Sequence, residues 1–308
     1  MKISVIICTH NPNHVYLDKV LTSLKHQSLN KDEWEIIVID NKSENELIKI
    51  LDLSWHPNNK IIREDNLGLI HARITGARQA QHEILVSVDD DTPLYPDYLE
   101  QVLRIYDQYP ELGVIGGKTI PEYEVTPPEW LHQFNGLLAI RDLGDLPIIE
   151  KLTGTGLKNY PICAPLLIAP KKSCMLLYLD HYLNSTVSQS LGRKGDQLSS
   201  GEDNDINLFI FKNGYALGYF PELKFIHIIP ERRMQKNYLG RLQFNTSKTW
   251  IRVLNKYNIN PWPPIKKNTV FLRKIKAWFA YKVWKSAAEY IKWRGACGTF
   301  EALSEINE

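Results

Sequence analysis

The chain has 308 residues, 44% of them hydrophobic and 23% charged, which is enough apolar material for a sizeable core and excludes a chain that stays disordered. Its 37 basic and 35 acidic residues leave a formal net charge of +2, which excludes a general nucleic-acid binder built on a strongly basic surface. Four cysteines (Cys8, Cys163, Cys174, Cys297) without C-x-x-C or metal-ligand spacing exclude a disulfide framework and a zinc knuckle, and fit a reducing compartment.

The first apolar run, "ISVIIC" (3–8), is too short for a signal peptide, and no stretch further on reaches the ~20 apolar residues of a membrane span, so a cytoplasmic location is expected. From residue 1 to about 118, short Ile/Val runs alternate with amphipathic segments. "ISVIIC" precedes 15–27, "EIIVID" precedes 44–53, "KIIRE" precedes 69–80, "EILVSV" precedes 96–108, and "GVIGG" follows. In the first segment Tyr16, Leu17, Val20, Leu21 and Leu24 recur at helix spacing, whereas the runs between are nearly unbroken in apolar residues, as strands are when helices cover both faces of a sheet. This βαβ series predicts an open, mostly parallel α/β sheet whose carboxyl edge collects the loops and the ligand. Four polar clusters fall on that edge: "THNPN" (9–13), "DNKS" (40–43), "DNLG" (65–68) and "DDDTP" (89–93).

Residues 119–170 are richer in Pro and Gly and read as excursions with one or two strands. Helical patterns return at 171–183, 203–213 and 234–256, and "KFIHII" reads as a strand. Residues 271–294 read as one helix that mixes Trp278, Trp284 and Trp293 with Lys and Arg. Two readings of it stand: a peripheral contact with a membrane surface, or a helix packed on the catalytic domain or on another subunit of an oligomer.

The three aspartates at the end of the fourth strand carry the most chemistry. On an extended backbone Asp89 and Asp91 share a face and Asp90 points to the other, so two carboxylates converge and need a cation or abundant water. A Mg²⁺ or Mn²⁺ ion beside a phosphate suits them, and so does a plain solvated turn before a helix. In "SSGEDND", Ser199 and Glu202 satisfy the S-x-x-E capping box, which explains the acids as a helix start.

With these pieces in order and spacing, the chain resembles the family 2 glycosyltransferases over roughly residues 1 to 255. The matching stretches are "SVIICTHNPN", "EIIVIDNKS", "NLGLIHARITGA", "VSVDDDTPLYPDYL", "SGEDNDINLFIFKNGY" and "KFIHIIP". The resemblance implies an inverting enzyme of GT-A fold, with a catalytic domain over 1–255 and a basic, aromatic helical extension over 256–308. It implies transfer from a nucleoside-diphosphate sugar, UDP-sugar first among them, to a hydroxyl of a saccharide or lipid-linked saccharide, in bacterial surface polysaccharide assembly. It places Thr9 and Asn11 near the nucleotide base and gives Asp40 a hydrogen bond to it, although Asp40 also reads as an Asx-turn or N-cap residue. Arg73 is set to pair with the diphosphate or with the acidic motif, and Ile74 beside it stands where relatives often carry Asn. Asp89 touches ribose or nucleotide, with Asp90 as an alternate or water-mediated contributor.

The same resemblance makes Asp91 and His227 ligands of Mn²⁺ or Mg²⁺, against the alternative of His227 as a core histidine. An acceptor hydroxyl must lose a proton as it attacks, and the acidic pair supplies Asp203 as general base and Glu202 as a partner for acceptor hydroxyls, with an exchange of the two roles as the alternative. A sugar-nucleotide nucleotidyltransferase would show a Gly-rich, basic loop where this chain has "THNPN". The other alternative is a non-catalytic carbohydrate- or nucleotide-binding scaffold.

Overall fold

The computed structural model describes residues 1–154, 157–164, 168–189, 191 and 201–306. In chain order it begins β1 (Ile3–Thr9), α1 (His14–Lys25), β2 (Trp34–Asp40), β3 (Asn59–Arg63), α2 (Leu69–Gln79), β4 (Ile84–Val88) and α3 (Tyr98–Gln108). The four strands are parallel in the order β3-β2-β1-β4. Ile3, Val5 and Ile7 of β1 share a core with Leu17 and Val20 of α1 and Leu99 and Val102 of α3, while Ile6 packs with Ala72 and Ala77 of α2. Both faces are therefore covered, which is why these strands carry few polar residues.

The amphipathic segment 44–53 departs from its expected helix and forms only a 3-10 turn at Leu47–Lys49. The Asp40 carboxylate accepts from the Ser43 and Leu47 amides at 2.8 and 3.1 Å, folding the segment into a loop that delivers Leu47 and Leu53 to the core.

The next elements are β5 (Leu112–Tyr123), β6 (Ile148–Glu150), β7 (Ala169–Pro170), α4 (Lys172–Leu183), α5 (Thr186–Gln189), α6 (Glu202–Lys212) and β8 (Ala216–Ile229). "GVIGG" does not extend the first sheet: β5 belongs to a second, mixed sheet ordered β6-β8-β5-β7, in which β5 and β8 are parallel. Along β5 and β8 the register jumps from Gly117 opposite Phe220 to Lys118 opposite Lys224, so β8 bulges by several residues. Gly117 makes that possible, since a Cβ there would lie 1.8 Å from the Leu223 carbonyl oxygen.

Beyond the bulge β8 runs against the loop after β4. The Tyr95 amide donates to the Lys224 carbonyl (3.1 Å), Ile226 to Pro93 (2.8 Å) and Ile228 to Asp91 (3.0 Å). The two sheets are thereby joined at the acidic loop.

The chain ends in α7 (Lys236–Lys256), α8 (Val270–Ala280) and α9 (Ala287–Glu305). The single helix expected over 271–294 is thus two, broken where Lys282 adopts φ 52° and restarted where the Ser286 hydroxyl accepts from the Glu289 amide at 3.2 Å. α9 crosses α7 closely enough that a Cβ at Gly298 would lie 2.1 Å from the Phe244 carbonyl oxygen. Ala288 and Ile291 of α9 join Leu239 and Leu242 of α7, and Leu131 and Leu138 of the 3-10 segment Glu129–Leu138, in one apolar cluster. Among the described residues no helix is long and apolar enough to cross a membrane.

Candidate active site

A cleft of about 330 Å³ opens at the carboxyl edge of the first sheet, lined by Asp89, Asp90 and Asp91 on one side and by Arg73, Glu202 and Asp203 on the other. The alternation expected of the three aspartates does not hold, because β4 ends at Val88 and the acids sit in a turn. Thr92 closes that turn: its hydroxyl and amide both bond the Asp89 carbonyl, at 3.0 and 3.1 Å, and the Asp89 amide lies 3.0 Å from the same hydroxyl. All three carboxylates consequently line one cleft. Asp90 accepts a short hydrogen bond from the buried Thr9 hydroxyl, which ties the ends of β1 and β4 together.

Crowding like charges in an enclosed space favours protonation. Enclosure in the cleft, then the neighbouring Asp91 carboxylate, raises the Asp89 carboxyl above its ordinary value. Burial, then Asp91 and Asp89, pushes Asp90 up to about 6 against the lowering effect of Thr9. Asp91 goes the other way: burial works to raise it, but His227 and Arg233 outweigh burial and hold it below the ordinary range.

The β8 strand supplies that His227, buried and with Nε2 3.6 Å from Asp91 Oδ2. Arg233, from the 3-10 turn Glu231–Met234 that follows, enters the same corner, its Nη1 3.4 Å from Asp91 Oδ2 and 3.0 Å from His227 Nε2. On the far side of the ring Nδ1 is a buried atom with no hydrogen-bond partner among the described residues.

Oxygen and nitrogen ligands lie about 2.1 Å from Mg²⁺ or Mn²⁺, so Asp91 and His227 are close enough to share one ion. No group of three or more His, Cys, Asp or Glu side chains able to hold a metal is found among the described residues. Asp91 and His227 would supply two ligands of a divalent ion and leave the rest to substrate oxygens and water, and Arg233 occupies the same corner.

On the opposite wall the first turn of α6 presents Glu202 and Asp203, where acids are favoured by the helix dipole. The cap residue is Gly201, with no side-chain cap bond, and the Ser199 of the expected capping box lies outside the described residues. Asp205, fully buried one turn in, anchors the helix through Lys256 (2.6 Å), Tyr257 (2.9 Å) and Tyr178 (3.1 Å).

Arg73 reaches from α2 and sets Nη1 2.8 Å from Glu202 Oε1 and 2.9 Å from Asp203 Oδ1. The sequence pairs Arg73 with a diphosphate or with the Asp89–Asp91 motif; its ion pairs in the structure are instead with Glu202 and Asp203. The contact to Glu202 is a hydrogen bond. The contact to Asp203 is an ion pair lying off the N–H direction, so among the described residues Oδ1 is buried without a hydrogen-bond donor while the side chain remains 37% exposed in the cleft. Burial, with Asp203 beside it, raises the Glu202 carboxyl despite Arg73. Burial also opposes the charge on Arg73, and Asp203 and Glu202 outweigh it, so this guanidinium stays ionised.

The remaining sequence candidates sit at the rim. The Asp40 carboxylate is engaged inside its loop by the Ser43 and Leu47 amides and by Arg63 at 3.1 Å, the Asx-turn role also read from the sequence, and it does not line the cleft. Asn11, at φ 48°, bonds Ser43 Oγ and the Glu44 amide and likewise shapes the loop outside the cleft. Arg233 and Cys8 are among the cleft residues that the sequence did not single out. Arg233 had as its signal the "ERRM" directly after the histidine strand. Cys8 ends an apolar run, and burial pushes its thiol up to about 12, which excludes it as a nucleophile at neutral pH.

Residues 4–163 match the profile "Glycosyl transferase family 2". A glucosyl-dolichyl phosphate glucuronosyltransferase of Haloferax volcanii is 23% identical over 247 residues, which cover 78% of this chain and 73% of that protein. The poly(ribitol-phosphate) beta-N-acetylglucosaminyltransferase TarS of Staphylococcus aureus is 25% identical over 140 residues, 42% of this chain and 24% of that one. In three dimensions the structure of S. aureus TarS 1–349 in complex with UDP superposes with a TM-score of 0.53 at 15% identity, covering 99% of this chain and 90% of the other. The same TarS fragment in complex with UDP-GlcNAc gives 0.52 at 14% identity, over 99% and 91%. The parallel sheet flanked by helices and these neighbours bear out the expected GT-A type of α/β fold.

Proposed function

As this chain belongs to glycosyl transferase family 2 and is a glycosyltransferase, we propose that it is an inverting, metal-dependent enzyme that moves a sugar from a UDP-sugar to a hydroxyl of a saccharide or lipid-linked saccharide acceptor. The observation that carries this reading is the disposition of the cleft: Asp203, ion-paired to Arg73 and with an oxygen that has no hydrogen-bond donor among the described residues, lines the cleft together with the Asp89–Asp91 turn.

Asp203 takes the proton of the acceptor hydroxyl. The freed oxygen forms a bond to the anomeric carbon, the bond from that carbon to the phosphate oxygen breaks, and its electron pair departs with the diphosphate. Attack and departure on opposite faces invert the anomeric centre. Arg73 holds the Asp203 carboxylate in place, and Glu202, pinned to the same guanidinium, holds the first turn of α6 in place and bonds acceptor hydroxyls from there.

Asp89 and Asp90, with Thr9, bind the ribose and nucleotide side of the donor, and the Asn11 and Asp40 loops shape the rim that receives the base. Asp91 and His227 would hold Mn²⁺ or Mg²⁺, which supplies charge neutralisation for the leaving diphosphate.

The UDP and UDP-GlcNAc bound by the TarS fragment support a uridine donor. The named substrates of the relatives, a poly(ribitol-phosphate) and a glucosyl-dolichyl phosphate, support a polymeric or lipid-linked acceptor, and the process proposed for it is bacterial surface polysaccharide assembly at the cytoplasmic face. In domain terms 1–255 is the catalytic unit and 256–308 an extension that braces it through α9.

A thermal-shift panel of nucleoside-diphosphate sugars, with Mn²⁺ and with excess EDTA, tests the donor class and the metal together. The melting temperature is expected to rise with a UDP-sugar plus Mn²⁺, and Asp91→Ala to remove that rise. Equal stabilisation in EDTA, or none by any nucleotide sugar, contradicts the reading.

A further inference from the structure

α8 is unusual in which of its faces meets the protein. Its inner side is occupied: Ala277 is buried, the Lys274 carbonyl accepts from the Trp293 indole at 3.0 Å, and the Lys274 ammonium pairs with Glu301 of α9. Its outer side is apolar. Phe271, Leu272, Ile275 and Phe279 fall within roughly 100° of the helix circumference, and each is between 40% and 71% exposed. In a helix of a water-soluble protein the apolar stripe faces the core, and here it faces away.

The turn after the helix enlarges this patch. Lys282 at φ 52° bends the chain back, and the Trp284 ring comes to 4.9 Å from Trp278 and 6.1 Å from Phe279, centroid to centroid, while remaining 58% exposed.

The charges around the patch have one sign. Arg273, Lys276, Lys282 and Lys285 are exposed beside it, and none has an ion-pair partner among the described residues. No acidic residue occurs in the sequence between Glu231 and Glu289. A second copy docking by the same face would bring these cations against their own duplicates, which argues against a two-fold dimer. An apolar stripe with aromatic rings, edged by lysine and arginine, is complementary to an anionic lipid surface: rings and alkyl chains enter the interface while ammonium groups meet headgroup phosphates.

We infer that α8 and the turn following it form a peripheral docking surface for an anionic phospholipid bilayer, with Phe271, Leu272, Ile275, Phe279 and Trp284 seated in the interface. This inference stands apart from the assignment of the cleft, and its test does not read catalysis.

The full-length protein is sedimented with vesicles of phosphatidylcholine alone and of phosphatidylcholine mixed with phosphatidylglycerol. It is expected to bind the mixed vesicles, to bind neutral ones more weakly, and to be released by salt. The pair Phe279→Glu and Trp284→Glu removes the interfacial rings, and the triple Lys276→Glu, Lys282→Glu, Lys285→Glu reverses the rim. Each is expected to weaken binding to the mixed vesicles by about tenfold or more, since each basic residue near an anionic surface contributes on the order of 1 kcal/mol. All five positions are exposed, so circular dichroism should show an unchanged fold, and the salt dependence of the wild-type protein keeps the test decisive if a variant misfolds. The inference is overturned if the wild-type protein stays in the supernatant, or if both variants bind as well as it does. It is also overturned if the patch instead mediates a dimer in solution that Phe279→Glu dissolves while vesicles bind nothing.

Discussion

Arg73 stands nearly sealed from water with two carboxylates against one guanidinium nitrogen, so removing it leaves the Glu202 carboxyl buried without its partner. Breaking a buried pair from one side costs far more than removing both members. Arg73→Met is therefore expected to lower the unfolding free energy by about 3 kcal/mol or more, and the double variant with Glu202→Gln to recover part of that loss, both measured by urea denaturation. A single variant as stable as the parent would show that the pair does not hold α2 to α6.

The acidic residues of the cleft could be named in advance because they end a predicted strand or open a predicted helix. Arg233 could not: it reaches Asp91 and His227 only because a bulged strand is laid against the acidic loop, a long-range event with no local pattern. The three aspartates show the same limit, since Thr92 turns the backbone where an extended chain would have alternated them.

The elements that could be read from sequence are those whose periodicity and tertiary burial agree. β1 and β2 are covered on both faces, and α1 carries its apolar stripe into the core behind an Asn13 cap that accepts from Val15 at 3.0 Å. Segment 44–53 has helical spacing, but Asp40 captures its amides and the helix yields to a loop, a case of tertiary contact overriding propensity. "GVIGG" looks like another parallel strand from its residues alone, because a run of apolar residues does not say which sheet it joins. The break in the tail was legible in Ser286 with Glu289 three residues on, a capping pattern that aromatic and basic residues on either side obscure.

At the level of packing between elements, Gly298 permits α9 to touch α7. Gly298→Ala is expected to destabilise the protein by about 1–3 kcal/mol, seen as a lower melting temperature, because the added methyl meets the Phe244 carbonyl rather than a flexible side chain. Gly136→Ala, where a Cβ meets nothing within 4 Å, serves as the control and should melt like the parent. Equal melting of both variants with the parent would mean that the two helices separate without cost.

For the molecule as a whole, the proposed function depends on two sheets meeting at one acidic loop. The first sheet delivers Thr9 and Asp89–Asp91, the second brings His227 to Asp91 through β8, and α6, clamped at Asp205 and Arg73, offers Asp203 from across the cleft. The extension contributes from behind, since α9 packs with α7 and with the 3-10 segment whose Leu138 lines the cleft. The most direct test of this arrangement compares Asp203→Asn with the parent in two assays on the same preparation: sugar transfer to acceptor, and UDP-sugar binding by calorimetry. The account predicts that transfer falls by at least about a hundredfold while donor affinity is unchanged. Transfer at the parental rate, or donor binding lost together with transfer, would contradict it.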